Sequence, residues 1–121
     1  MRIFKNILFN KWAYKIGLEN EILKTAVAEI SSGLYEANLG GHVYKKRIGL
    51  KGKGKRGGVR TIIAFKKDDK ALFIYGFAKS DKANIDEAEE KLCKKFATLF
   101  LSYNDDDINT AIKNREIIEV L

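Results

Sequence analysis

The sequence predicts an α+β fold in which two helices precede a small antiparallel sheet and further helices follow it. Apolar residues recur at helical spacing before residue 33, β-branched and aromatic residues dominate from 43 to 78, and helical spacing returns after residue 84. The length of 121 residues is typical of one domain. We therefore expect a single domain over residues 1–121, with 86–121 as its helical C-terminal extension.

The first third of the chain predicts a strand and two helices. Met1–Lys5 is a short apolar strand, and Asn6 can cap a helix that Gly17 ends. A second helix is predicted from about Asn20 to Ser32, where Gly33 stops it. The apolar faces comprise Phe9, Trp12, Ala13 and Ile16 in the first helix, and Ile22, Leu23, Ala26, Val27 and Ile30 in the second.

Three segments in the middle of the chain have the composition of strands. They are Val43–Ile48, Val59–Lys66 and Ala71–Ala78. The polar turn Lys67–Lys70 joins the last two, so we expect them to be antiparallel neighbours. The connection between the first two contains five glycines from 49 to 58 and is predicted to be a mobile turn.

Helical spacing returns in the last third. Asp86 and Glu89 form a capping-box pair at the start of a third helix. Asp105–Asp107 can cap a short fourth helix, and Ile117–Leu121 has strand-like composition. The third helix is expected to bury Leu92, Cys93, Phe96, Leu99, Phe100 and Tyr103 against the sheet.

Positive charge is concentrated in one segment. The net charge is +7, and residues 42–60 contain eight lysines and arginines but no aspartate or glutamate. An unmixed basic block of this kind predicts a polyanionic partner, most plausibly the phosphates of RNA or DNA. The alternative is an incidental basic loop.

The alternation of a strand predicts which of these cations lie together. Lys45 and Arg47 should point to one face, and Lys46, like its neighbours Tyr44 and Ile48, to the other. Arg60 lies near the start of the next predicted strand, and Lys79 follows the last one. If the three strands are adjacent, four of these cations (Lys45, Arg47, Arg60 and Lys79) converge in a cationic cleft. Alternatively, they protect an edge strand from aggregation.

Such a cleft has the chemistry that metal-independent RNA cleavage needs. The 2′-hydroxyl must lose a proton, the phosphorane charge must be neutralised, and the leaving 5′-oxygen must be protonated. Arginine binds phosphate oxygens through its fork, and a lysine among other cations can act as base or acid. With one histidine and one cysteine in the chain, we expect no metal site, no cofactor and no internal disulfide.

Several other motifs predict structure rather than chemistry. Gly52–Gly57 matches a dinucleotide-binding pattern, but a strand rather than a helix follows it. His42 lies on a glycine turn and is more often structural than catalytic in such a position. Cys93 is expected in the core, and Asp105–Asp107 as helix caps rather than metal ligands. Tyr75 is either a core residue or a platform for base stacking.

Four motifs together resemble the RelE/HigB superfamily of type II toxins. They are Leu39–Gly41, Tyr44–Arg47, Gly52–Arg60 and Tyr75–Lys79, and the similarity covers about residues 1–85. The resemblance implies a microbial ribonuclease-type fold and inhibition of translation by cleavage of messenger RNA on the ribosome. It also implies a cognate antitoxin, expected to be a helix-turn-helix protein.

The resemblance implies a role for each basic residue. Lys45 would be the base, while Arg47 and Arg60 would stabilise the phosphorane. In this family a tyrosine, histidine or arginine commonly ends the third strand, but here the chain continues Phe77–Ser80. The general acid is then Lys79 or Tyr75. The resemblance also implies Lys55, Arg56 and Lys79 as supporting phosphate contacts. From the basic block and the possible stacking platform, we further expect RNA or ribosome contacts by Lys46, Lys51, Lys53 and Tyr75.

Two other functions remain open at this level. The same superfamily includes gyrase-directed toxins, because a shared fold does not determine the target. A non-catalytic RNA-binding module is the other alternative.

The chain has no apolar run approaching the roughly 18 residues of a membrane span, and Met1–Lys5 lacks the apolar core of a signal peptide. We therefore expect a cytoplasmic protein without membrane contact.

Overall fold

A computed structural model of the chain describes residues 1–50 and 54–121, and side chains outside 51–57. The α+β class is confirmed. The elements are β1 (Arg2–Asn6), α1 (Ile7–Ile16), α2 (Asn20–Ser31), β2 (Ala37–Gly40), β3 (Val43–Leu50), β4 (Gly54–Lys66), β5 (Lys70–Ala78), α3 (Glu87–Ser102), α4 (Asp105–Lys113) and β6 (Ile117–Glu119).

Within these ranges six strands form one sheet in the order β2-β3-β4-β5-β1-β6. Most neighbours are antiparallel, but β1 runs parallel to β5, with Phe4 opposite Leu72. The last strand then pairs antiparallel with the first, so that residues 117–119 join the sheet beside the N-terminus. The antiparallel pairing predicted for the three middle strands is confirmed, and the sequence prediction assigned no partner to β1, whose parallel neighbour lies 68 residues further along the chain.

The β2–β3 hairpin is absent from the sequence prediction. Its four-residue first strand contains glycine and asparagine, which strands disfavour. Gly41 and His42 form the two-residue turn, with φ of 61° and 63° as a primed hairpin turn requires. β3 and β4 also extend further than predicted, because Leu50 pairs with Gly54. Of the glycine-rich connection predicted to be mobile, residues 51–53 lie outside the described part, whereas 49–50 and 54–58 belong to β3 and β4.

The helices cover both faces of the sheet. One core lies under α1 and α2 and includes Phe9, Leu23, Ile63 and Phe73; the other lies under α3 and α4 and includes Phe4, Ile62, Phe100 and Ile108. The predicted helix ends are confirmed at three places. Asn6 accepts a hydrogen bond from the backbone of Phe9, Gly17 is left-handed, and Asp86 and Glu89 form the capping box.

Two predictions about the C-terminal helices are wrong in detail. The N-cap of α4 is Asn104, and Asp105–Asp107 instead form the first helical turn. In α3, Cys93, Ala97 and Phe100 are buried, but three members of the predicted buried stripe face solvent. These are Leu92, Phe96 and Leu99, which are 55%, 44% and 53% exposed. The apolar arc of this helix is wider than the strip that the sheet covers.

Gly76 fixes how closely α1 approaches the sheet. A Cβ atom at this position would overlap the six-membered ring of Trp12, whose indole also packs on Phe9. Gly76→Ala is therefore expected to destabilise the fold by about 1–3 kcal/mol, the usual cost of overpacking. Chemical denaturation of Gly76→Ala in the wild-type and Trp12→Leu backgrounds measures this. An equal loss in both backgrounds would show that the ring is not the cause.

Candidate active site

Strand register brings three of the predicted catalytic cations together. Arg47 on β3 lies directly opposite Arg60 on β4, so both side chains share one face of the sheet. Lys45 lies two residues earlier on β3 and shares that face. All three contact the carboxylate of Glu36, at 3.6 Å from Lys45 Nζ, 3.2 Å from Arg47 Nε and 3.1 Å from Arg60 Nε. We call these four residues the Glu36 cluster.

Sequence reasoning missed Glu36 itself. The residue directly precedes β2, and its backbone N–H donates a hydrogen bond to the carbonyl of Lys45. That contact places its carboxylate over the face that carries the cations. The signal in the sequence is an acidic residue just upstream of the basic block, but without β2 no register could connect the two. The cluster keeps a surplus of positive charge, and the carboxylate side chain is 26% exposed.

Arg60 is the most buried member of the cluster, at 5% exposure. Its Nε donates a hydrogen bond to Glu36, but its buried Nη1 has no hydrogen-bond partner in the described part of the chain. The Nε of Arg47 is likewise buried without a hydrogen bond to a described residue, although it lies close to Glu36. Unsatisfied buried donors of this kind are costly, and a phosphate oxygen would satisfy them well.

Lys45 is held from a second side by Asn84. Its Nζ donates a hydrogen bond of 3.3 Å to Asn84 Oδ1, and its side chain is only 16% exposed. Asn84 belongs to the segment between β5 and α3, which Lys82 fixes by donating a hydrogen bond to Glu89. The same bond holds the pKa of the Glu89 carboxyl down at about 2. The ammonium of Lys45 therefore sits between a carboxylate and an amide oxygen.

The two candidates for the general acid lie at the end of β5. Tyr75 is half-buried against the second core, with Phe77 beside its ring at 5.9 Å and Lys82 at 5.6 Å from the ring centroid. Its hydroxyl lies 3.5 Å from Lys82 Nζ. Lys79 directly follows the strand and is exposed to solvent. Tyr75 is thus a packing residue in this structure, whereas the Lys79 side chain is exposed and makes no described contact with the Glu36 cluster.

Lys46 does not lie with the other cations. It is 4% exposed and points to the face covered by α2, where its Nζ lies 2.9 Å from Glu29 Oε1. The predicted alternation along β3 is confirmed, but the predicted RNA contact is not supported because this ammonium is buried in an ion pair. Lys51 and Lys53 lie outside the described residues, as do the side chains of Lys55 and Arg56.

Two further residues singled out from the sequence, His42 and Cys93, lie where they support the fold. His42 is exposed and left-handed at the hairpin turn, where its carbonyl accepts a hydrogen bond from Phe65. Cys93 is buried, as predicted, and burial raises the pKa of its thiol to about 11. A thiol in that state is a poor nucleophile.

Comparison with known families agrees with this architecture. None of the helices in the described ranges is both long and apolar enough to cross a membrane. No curated protein matches the chain. The family model described as the RelE toxin of the RelE/RelB toxin–antitoxin system matches residues 1–120. Because that match spans nearly the whole sequence, the chain belongs to the RelE toxin family and is the toxin partner of an antitoxin.

Proposed function

We propose that the chain is a metal-independent endoribonuclease that cleaves messenger RNA on the ribosome and thereby inhibits translation. RelE family toxins are generally endoribonucleases. The observation that carries the proposal is the Glu36 cluster, in which three cations meet on one sheet face and a buried Arg60 N–H has no hydrogen-bond partner among the described residues. A scissile phosphate supplies the acceptor that this donor lacks.

The cluster offers complementary groups for transition-state stabilisation. Arg47 and Arg60 face each other across two strands, so their guanidinium groups can bind two non-bridging oxygens of one phosphate. Lys45 adds a third positive charge from the same face. As the 2′-oxygen attacks phosphorus, negative charge grows on those oxygens, and fixed cations stabilise it without reorganising.

The two proton transfers use different groups, Glu36 as the base and a separate residue as the acid. The resemblance implies Lys45 as the base, but its ammonium is paired with Glu36 and so is arranged to donate hydrogen bonds. Glu36 is the acceptor among the four groups and takes the 2′-hydroxyl proton. The bond from phosphorus to the 5′-oxygen then breaks, and Lys79 protonates that oxygen. The products are a 2′,3′-cyclic phosphate and a 5′-hydroxyl end.

Induction of this chain without an antitoxin is expected to arrest growth, and incorporation of labelled amino acids should fall before that of labelled thymidine. A toxin that cleaves message disables each translating ribosome that it meets. The matched control is the double variant Arg47→Ala/Arg60→Ala, induced to the same soluble level, which should grow. Normal growth at confirmed soluble expression of the wild-type chain would contradict the toxin assignment.

Binding to ribosomes is expected to weaken steeply with salt. Each phosphate contact releases counterions, so log K should fall linearly with log salt. Lys53→Ala, on the basic segment outside the described residues, should weaken binding and flatten the slope by about 0.7–0.9 if it removes one phosphate contact. Sedimentation with ribosomes at several salt concentrations measures this. A flat response of the wild-type chain would remove the electrostatic basis of the proposal.

A further inference from the structure

The exposed half of the α3 apolar arc is a continuous stripe. Leu92, Phe96 and Leu99 lie at positions i, i+4 and i+7, which places them on one line along the helix. Each is about half exposed, while Cys93, Ala97 and Phe100 on the adjoining face are buried against the sheet. Three aligned large apolar side chains in solvent are typical of a surface that another protein covers.

The border of the stripe on the side away from the sheet carries positive charge. Lys91 and Lys95 are exposed and flank the stripe on the side away from the sheet. Lys94, one position further round, is already paired with Glu90 at 3.3 Å. On the opposite border, Glu89 is already ion-paired with Lys82. A segment that covers the stripe therefore meets ammonium groups on its solvent side.

We propose that this stripe is a docking face for an acidic amphipathic helix of the antitoxin. Apolar residues of that helix at three- and four-residue spacing would cover Leu92, Phe96 and Leu99, and its carboxylates would pair with Lys91 and Lys95. An antitoxin is the partner that the family assignment supplies. The proposal does not depend on whether the chain cleaves RNA.

Charge favours this occupant over a second copy of the chain. In a two-fold pairing centred on Phe96, Lys95 of one copy would lie close to the same residue of its partner. Each copy also carries a net charge of +7, so long-range repulsion opposes the pairing. An acidic helix meets neither obstacle and also lowers the total charge of the complex.

The test compares two double variants of matched chemistry. Leu92→Ser/Phe96→Ser removes the stripe, whereas Leu8→Ser/Tyr14→Ser removes two large residues that are 72% and 88% exposed on α1. Dissociation rates of the purified cognate antitoxin are measured on each immobilised variant. The first change is expected to speed dissociation about tenfold to a hundredfold, and the second to leave it near wild type.

A charge arm and a functional arm complete the experiment. Lys91→Glu/Lys95→Glu is expected to weaken association and reduce its salt dependence. The Leu92→Ser/Phe96→Ser variant should remain toxic at an antitoxin level that silences the wild type, and thermal unfolding confirms that it is folded. If neither the wild-type chain nor any variant cleaves RNA, the dissociation rates still decide the docking proposal. Failure of the proposed ribonuclease function is therefore distinguishable from failure of the docking proposal.

Three results would overturn the proposal. One is a rate of antitoxin dissociation from the Leu92→Ser/Phe96→Ser variant that equals the wild-type rate. Another is unchanged antitoxin binding together with a dimer, detected by light scattering, that Phe96→Ser abolishes, which would assign the stripe to self-association. The third is unchanged antitoxin binding together with sedimentation on vesicles of phosphatidylglycerol and phosphatidylcholine that Phe96→Ser abolishes, which would assign it to lipid.

Discussion

Arg60→Ala is expected to cleave ribosome-bound message about tenfold to a thousandfold more slowly in single-turnover experiments, with little loss of ribosome affinity. Arg60 is buried in the Glu36 cluster and has one N–H without a partner in the described structure. Its contribution therefore grows as charge develops on the phosphate. Binding to the ribosome should depend more on the exposed basic residues.

The matched control for this experiment is Lys46→Met. Lys46 is as buried as Arg60 and is also paired with a glutamate, but it lies on the opposite face of the sheet. Its replacement can destabilise the fold and should leave the cleavage rate of the folded protein unchanged. Wild-type cleavage by saturating Arg60→Ala, or by both Lys45→Ala and Arg47→Ala, would show that the cluster is not the catalytic site.

Glu36→Gln is expected to slow the chemical step by about a hundredfold to ten-thousandfold, the range typical of losing a general base. The change keeps the shape of the side chain but removes its charge. Since the three surrounding cations lose their counterion, the variant should bind RNA more tightly while cleaving it more slowly. This opposite movement of affinity and rate separates a base from a residue that only supports the fold.

Glu29→Gln provides the parallel control, because Glu29 pairs with Lys46 on the other face of the sheet. Its cleavage rate should match the wild type. Single-turnover rates and filter-binding affinities on the same RNA measure both variants. A wild-type rate for Glu36→Gln would mean that Glu36 only neutralises the cations, and Lys45 would again be the candidate base.

The parts of the fold that the sequence predicts are those with local signals. Asn6, Gly17 and the Asp86–Glu89 pair mark helix ends through their own backbone contacts, and the structure confirms them. The β2 strand lacks such a signal because it is four residues long and is stabilised by pairing with β3. Glu36 was missed for the same reason, since its place in the site depends on that hairpin.

Burial is harder to predict than periodicity. The spacing of Leu92, Phe96 and Leu99 correctly indicates an apolar helix face, but only the width of the sheet decides how much of that face is covered. Lys46 is the opposite case, a charged residue that is buried. Its charge suggests a surface residue, yet alternation along β3 turns it toward α2, where Glu29 compensates its burial.

The most direct test of the proposed function maps the RNA ends that the purified chain produces on translating ribosomes. We predict internal cleavage of the message with 2′,3′-cyclic phosphate and 5′-hydroxyl ends. A single 2′-deoxy substitution at the scissile nucleotide should abolish that cleavage, because no 2′-hydroxyl remains to attack. Intact message on ribosomes that hold the folded toxin, together with trapped gyrase–DNA complexes in cells that express it, would contradict the account.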